Sequence, residues 1–113
     1  MAISRRQFAS ALRVLGSAPG RVGKFLQAHH SAQGKVVTMT YLAEQVGYKG
    51  YEGVNLQYGM LAQKIAEVLN VPLPPIRLTL LADFVERDTQ SNAQWQIVMK
   101  PEFAAALEDV GWV

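Results

Sequence analysis

The spacing of hydrophobic residues near the start of the chain predicts two helices. Ser4 is a candidate N-cap, and Phe8, Leu12 and Leu15 recur at intervals of four and three residues, as on one helix face. The glycine- and proline-containing segment 16–20 ends this helix. A second helix follows and ends near Gln33-Gly34. Its inner face is expected to carry Val22, Phe25, Leu26 and either His29 or His30.

A short strand and a third helix are predicted next. Lys35-Val36-Val37 is a β-prone run, and either Thr38 or Thr40 can cap the helix that follows it. Gly47 ends this helix, because glycine readily adopts the left-handed conformation of a helix C-terminus. The buried stripe of the helix is predicted to consist of Leu42, Ala43 and Val46.

After a turn at Tyr48-Lys49-Gly50, the pattern predicts a long helix from Tyr51 to Leu69. At about 100° per residue, one set of apolar side chains falls within about 40° of Val54, which predicts a core-facing stripe. Asn70 and Pro72 end the helix. The predicted stripe is Val54, Tyr58, Leu61, Ile65 and Val68.

The last third of the chain predicts a hairpin and a final helix. Apolar residues alternate with others from Ile76 to Val85, which fits a strand, although Leu80, Leu81, Phe84 and Val85 also fit a helix. A polar loop over 88–93 leads to a second strand at Trp95–Met99. Pro101 begins a short helix to about Val110, and Trp112 is expected to anchor the C-terminal tail.

The segment Thr38–Gly47 carries the most specific pattern. A capping Thr, the pair Leu42-Ala43 and a Gly four residues later resemble the first helix and turn of helix-turn-helix domains. The order of predicted elements matches the winged helix-turn-helix layout. Val37–Gly47 is also similar to the DNA-binding segment of alkylguanine-DNA alkyltransferases and their alkyltransferase-like relatives. The Pro-Cys-His-Arg or Pro-Trp-His-Arg motif of that family is absent, so the resemblance implies a fold and not the reaction.

This resemblance implies that the N-terminal end of the long helix enters the major groove of DNA while the hairpin loop touches the adjacent backbone. Asn55 is then placed to read adenine. Arg21 and Lys24 would add phosphate contacts from the second helix. The predicted DNA-binding residues are Thr40, Lys49, Tyr51, Asn55, Arg87, Asn92, Arg21 and Lys24, with Ser91 as a further loop contact.

Charge is divided unevenly along the 113 residues. Residues 1–49 carry seven Lys or Arg against Glu44 alone, a net charge of +6, whereas residues 50–113 carry four against eight acidic residues, a net charge of −4. The basic half favours a polyanionic or acidic partner. Charged residues make up only 18% of the chain, below the usual proportion of about 25%, which is typical of a surface partly covered in an oligomer.

The outer face of the long helix supports an alternative. It carries no Lys or Arg, with Lys64 on its flank, whereas phosphate neutralisation normally dominates affinity for DNA. A glycine on an apolar face permits close approach of another chain. A non-catalytic protein-interaction or homodimerisation module is therefore the second interpretation, with Leu56, Gly59, Met60 and Gln63 as the predicted protein interface.

Other candidate groups favour structural roles. His29 and His30 point about 100° apart on a helix and do not readily share a metal ion. Asp83, Glu86 and Asp88 fit either an acidic cluster or a solvated hairpin end, and the four tyrosines around the turn fit either core packing or a stacking platform for unpaired bases. With no cysteine, no Ser–His–Asp spacing and no nucleotide motif, we expect no enzymatic activity, no metal and no cofactor.

The sequence thus predicts one helix-rich α+β domain over residues 1–113, a winged helix-turn-helix with a two- or three-stranded sheet. The leading function is binding of double-stranded DNA as a bacterial-type transcriptional regulator or DNA-associated accessory factor. No apolar run is long enough to span a membrane, and the N-terminus lacks the apolar core of a signal peptide, so we expect a cytoplasmic protein without a membrane partner.

Overall fold

The computed structural model describes residues 2–18, 20–85 and 96–113. Its described part is a helix-rich α+β fold of five helices and a small three-stranded antiparallel sheet. The helices are α1 (Arg5–Leu15), α2 (Gly20–Ser31), α3 (Met39–Val46), α4 (Tyr51–Leu69) and α5 (Pro101–Val110). The strands are β1 (Val36–Thr38), β2 (Ala82–Phe84) and β3 (Gln96–Met99).

Two helices begin at the side-chain caps that the sequence indicates. Ser4 caps α1 in a capping box with Gln7, in which each side chain bonds the other residue's backbone N–H. At α3 the Thr38 hydroxyl accepts a hydrogen bond of 3.0 Å from the Tyr41 backbone N–H. Thr38, and not Thr40, is therefore the cap, and Thr40 is half-buried within the first turn.

The sheet has the order β1-β3-β2 and is antiparallel throughout. Val98 of β3 lies opposite Val36 of β1 on one side and opposite Asp83 of β2 on the other, which makes β3 the central strand. The predicted antiparallel pairing of the last two strands is confirmed over these residues. Trp95, with which the second strand was expected to begin, lies outside the described residues.

The continuous strand predicted from Ile76 is wrong in its first half. Residues Arg77–Leu80 form a 3-10 turn, in which the Thr79 N–H donates to the Ile76 carbonyl at 3.0 Å and the Leu81 N–H to the Leu78 carbonyl at 2.9 Å. The Thr79 hydroxyl also bonds the Ile76 carbonyl, at 2.6 Å. This turn buries three leucines that an extended strand would distribute over both faces: Leu78, Leu80 and Leu81.

The core is one hydrophobic cluster to which all five helices and the sheet contribute. The α4 stripe is buried as predicted at Val54, Tyr58, Leu61 and Ile65. Val68, in the last turn of α4, is instead 37% exposed. The Phe8 and Phe103 rings meet edge to face at 5.3 Å, which joins α1 to α5.

One polar side chain, His29, is fully buried at the centre of this cluster. Its Nδ1 lies 2.8 Å from the Tyr58 hydroxyl, and its Nε2 lies 3.0 Å from the Lys35 carbonyl and 3.3 Å from the Ile97 carbonyl. The carbonyls require the N–H on Nε2, so Nδ1 accepts from Tyr58. Burial lowers the pKa of His29 to about 4 and raises that of Tyr58, which keeps both groups neutral.

Candidate nucleic-acid interface

The turn between α3 and α4 is built from glycines and one tyrosine. Gly47 ends α3 in the left-handed conformation at φ 77°, and the Tyr48 N–H bonds back to the Ala43 carbonyl at 3.0 Å. The Tyr48 ring then packs on Gly53 of α4, where a Cβ would approach the ring to 3.1 Å. This close contact fixes the start of α4 relative to α3.

A basic side chain from α2 is held on the same tyrosine. The guanidinium of Arg21 lies over the Tyr48 ring, 4.8 Å from its centroid. Arg21 and Lys24 are both exposed on α2, and α2 packs directly on α3. Positive charge from the N-terminal half of the chain is therefore brought to the turn that precedes α4.

The N-terminus of α4 has no side-chain cap, and Glu52 offsets part of the positive end of its helix dipole. This helix has 19 residues, and its N-cap, Gly50, supplies no side-chain hydrogen bond to the first-turn N–H groups. Glu52 is the acidic residue of the first turn, and its carboxylate bends back to within 2.5 Å of where a Gly50 Cβ would lie. Uncapped N–H groups at a helix start are suited to contact an anionic oxygen.

The predicted DNA-binding residues divide into three groups. Lys49 and Asn55 are exposed, as are Arg21 and Lys24 of α2, and Arg21 lies over Tyr48 in the turn before α4. Thr40 and Tyr51 are half-buried. The predicted loop contacts, Arg87, Asn92 and Ser91, lie outside the described residues, as do Glu86 and Asp88 of the candidate acidic cluster.

A groove of about 430 Å³ runs between α4 and the segment that leads into β2. Tyr51 and Asn55 line its α4 side, and Arg77 lies on the opposite side. Three large hydrophobic side chains also line it while remaining exposed to solvent: Leu56 (52%), Ile76 (52%) and Phe84 (37%). The groove therefore combines polar groups with an unusually apolar rim.

Gly59 was predicted to face a partner, and this prediction is wrong. Gly59 is buried, because the Arg77 guanidinium lies on it and would come within 2.9 Å of a Cβ. Arg77 also donates to the Gln63 side-chain oxygen at 2.9 Å. The close approach that glycine permits is thus made within the chain. Sequence reasoning missed Arg77, because only the 3-10 turn carries it across α4.

The other predicted interface residues do not form one surface. Met60 is 39% exposed but lines a separate cavity of about 270 Å³ with Leu15, Val22 and Trp112. The Trp112 indole N–H donates to the Gly16 carbonyl at 3.0 Å, which confirms that this residue anchors the tail. The outer face of α4 is therefore divided between the groove at Leu56 and the cavity at Met60.

The remaining candidate groups have local partners. His30 lies 2.7 Å from Glu108, and Asp83 lies 3.7 Å from Lys100. The four tyrosines do not form one exposed platform, because Tyr58 is buried and Tyr48 is covered by Arg21 and Gly53. Among the described residues, no group of three His, Asp or Glu side chains is placed to hold a metal ion.

Comparison with known proteins adds no further assignment. No family model matches the chain, and neither a curated protein nor a solved structure matches it significantly. Within the described ranges, no helix combines the length and apolar character needed to cross a membrane.

Proposed function

We propose that this chain binds double-stranded DNA through α3, the following turn and the N-terminal half of α4, as a winged-helix protein. The element order supports this. Helix α2, strand β1 and helices α3 and α4 are followed by the paired strands β2 and β3. β2 and β3 are neighbouring antiparallel strands. In a winged helix the connection between two such strands is the wing.

The observation that carries the proposal is the stacking of Arg21 on Tyr48. It directs a cation of α2 toward the start of α4, beside the exposed Lys49. Two cations next to an uncapped helix N-terminus suit a phosphate of the DNA backbone. Lys24, also exposed on α2, supplies a third cation for an adjacent phosphate.

In this arrangement affinity and sequence recognition come from different elements. The α4 segment 51–63 carries no Lys or Arg, so it contributes no positive charge to binding. Affinity comes from α2, the turn and the helix dipole, while Asn55 projects from the second turn of α4 toward the base edges. Such a protein binds DNA with a modest number of ionic contacts.

The test is a fluorescence anisotropy titration of the protein with a labelled mixed-sequence 30-base-pair duplex. Three phosphate contacts predict a log–log salt slope of about −2.7, so affinity should fall by about 40-fold between 50 and 200 mM salt. Absence of binding at 50 mM salt would contradict the proposal. Binding that is independent of salt would also contradict it, because the contacts would then not be to phosphates.

The apolar rim of the groove favours a second candidate function, self-association. Leu56, Ile76 and Phe84 are exposed around one concave surface, which is typical of a protein contact. If this surface joins two copies, Ile76→Glu should shift the protein from dimer to monomer in sedimentation velocity. Val14→Glu is the matched control, since Val14 is 67% exposed on α1 and does not line the groove. A monomeric native protein would exclude self-association.

A further inference from the structure

We propose that α4 reads an A·T base pair in the major groove, with Asn55 on adenine and Leu56 on the methyl group of the paired or neighbouring thymine. This inference rests on the proposed function and names the DNA sequence class that the same site prefers. Two observations support it. The first two turns of α4 expose Asn55 and Leu56, and the nearby charged side chains of Arg77 and Glu52 already lie against other residues of the chain.

Asn55 supplies the polar contact. It is exposed in the second turn of α4, on the same helix face as Tyr51, four residues earlier, and close to the N-terminus that the cations surround. An asparagine amide matches adenine in the major groove, because its oxygen accepts from N6 while its nitrogen donates to N7. No other base presents that pair of groups in this groove.

Leu56 supplies the apolar contact. Its side chain lines the groove and is 52% exposed in the second turn of α4, whereas Val54, Tyr58, Leu61 and Ile65 of the same helix are buried. The thymine methyl is the apolar group on the major-groove edges of the four bases. Covering it with an aliphatic side chain removes apolar surface on both partners from water.

Within α4 itself, readout of G·C pairs lacks its usual side chains. Guanine is read most often by Arg or Lys, and α4 has neither before Lys64, which lies more than three turns from the helix start. Arg77, the cation in the groove, is bonded to Gln63 and lies on Gly59. Glu52, the side chain that would accept from cytosine, bends back toward Gly50.

The experiment uses the full chain and two 20-base-pair duplexes with identical flanks and either an alternating A·T or a mixed G·C core. Two modified A·T duplexes change the major groove alone. One carries 7-deazaadenine, which lacks the N7 acceptor, and the other carries uracil, which lacks the thymine methyl. Each is titrated by anisotropy at 50 mM salt against the native protein, Asn55→Ala and Leu56→Ala. Both positions are exposed, and thermal denaturation checks that the variants fold.

The expected preference for the A·T core is about tenfold, which corresponds to one good base contact. Loss of the thymine methyl should weaken native binding about fourfold, the value of one buried methyl group. The modifications should act selectively. Deazaadenine should weaken the native protein and Leu56→Ala but not Asn55→Ala, whereas uracil should weaken the native protein and Asn55→Ala but not Leu56→Ala.

Equal, salt-dependent binding to both cores would overturn this inference and leave the proposed DNA binding intact. A preference for the G·C core would overturn it as well. Failure to bind either duplex would overturn both proposals. An A·T preference that survives both modifications and both substitutions would show minor-groove or shape recognition, and would also reject the assignment to Asn55 and Leu56.

Discussion

Lowering the pH from 7 to 4 is expected to reduce the free energy of unfolding by about 3 kcal/mol because of His29 alone. Burial lowers the pKa of this residue from its ordinary 6.5 to about 4 in the folded protein. In the unfolded chain it returns to the ordinary value. At about 1.4 kcal/mol for each unit that separates the two pKa values, the full difference amounts to about 3.5 kcal/mol, of which about 3 kcal/mol is lost by pH 4, where the folded protein also begins to bind the proton.

The direction follows from which state binds the proton. Between pH 6.5 and about 4 the unfolded chain protonates at His29 while the folded protein does not, so acid favours unfolding. The contribution of His29 is therefore complete above pH 6.5 and is lost as the pH falls toward 4. Arg5 lowers the pKa of Asp109 below its ordinary 3.8, so this carboxylate acts only at lower pH.

Urea denaturation at half-unit steps of pH, followed by tryptophan fluorescence, measures this effect. His29→Gln should be less stable at pH 7 and should lack most of the fall between pH 6.5 and 4. The neighbouring His30→Gln variant is the matched control, because it removes the adjacent imidazole and retains the buried one; it should keep the native fall. An undiminished fall in His29→Gln would show that another group carries the pH dependence.

Reversing the two cations at the start of α4 should have the largest effect on DNA binding. The Arg21→Glu, Lys49→Glu double variant loses two charge-assisted contacts, each worth about 1.5 kcal/mol, so affinity should fall at least about 100-fold at 50 mM salt. Repulsion between the new carboxylates and the phosphates adds to this loss. Anisotropy with the mixed-sequence duplex measures it.

The control changes net charge equally at a different place. Arg6→Glu, Arg13→Glu reverses two exposed cations of α1, which packs against α5 and α4. If binding depends on the α4 N-terminus, this variant should lose less than tenfold. Equal losses in both double variants would indicate a response to net charge and would argue against the site. The free energy of unfolding of the Arg21→Glu, Lys49→Glu variant should fall by less than about 1 kcal/mol, because only the stacking of Arg21 on Tyr48 is lost.

Most of the helical framework could be predicted because its signals are local. Tyr51–Leu69 and Pro101–Val110 have the predicted bounds, since a glycine turn, an αL-prone Asn70 and a proline at N1 lie next to the ends that they determine. The helical spacing also correctly predicts that Val54 and Tyr58 face the core. These features depend on residues within a few positions of one another.

The groove could not be predicted because it depends on contacts across the chain. Alternation after Ile76 matches a strand, and only the packing of Leu78, Leu80 and Leu81 into the shared core favours the 3-10 turn. That turn carries Arg77 onto Gly59, eighteen positions earlier, and so changes an apparent interface glycine into a buried one. The hydrogen-bond partner of His29 also could not be predicted from the sequence, since Tyr58 lies 29 positions away.

The central position of β3 has a consequence for the order in which the chain folds. Helices α2 to α4 and the turns between them form from contacts close in sequence. Strands β1 and β2 do not pair with each other, so each forms its hydrogen bonds only when residues 96–99 are present. The same strand brings the Ile97 carbonyl to His29, 68 positions earlier. Pairing of the sheet therefore closes a long loop, and during synthesis the buried histidine acquires its complete set of partners only after residues 96–99 have left the ribosome.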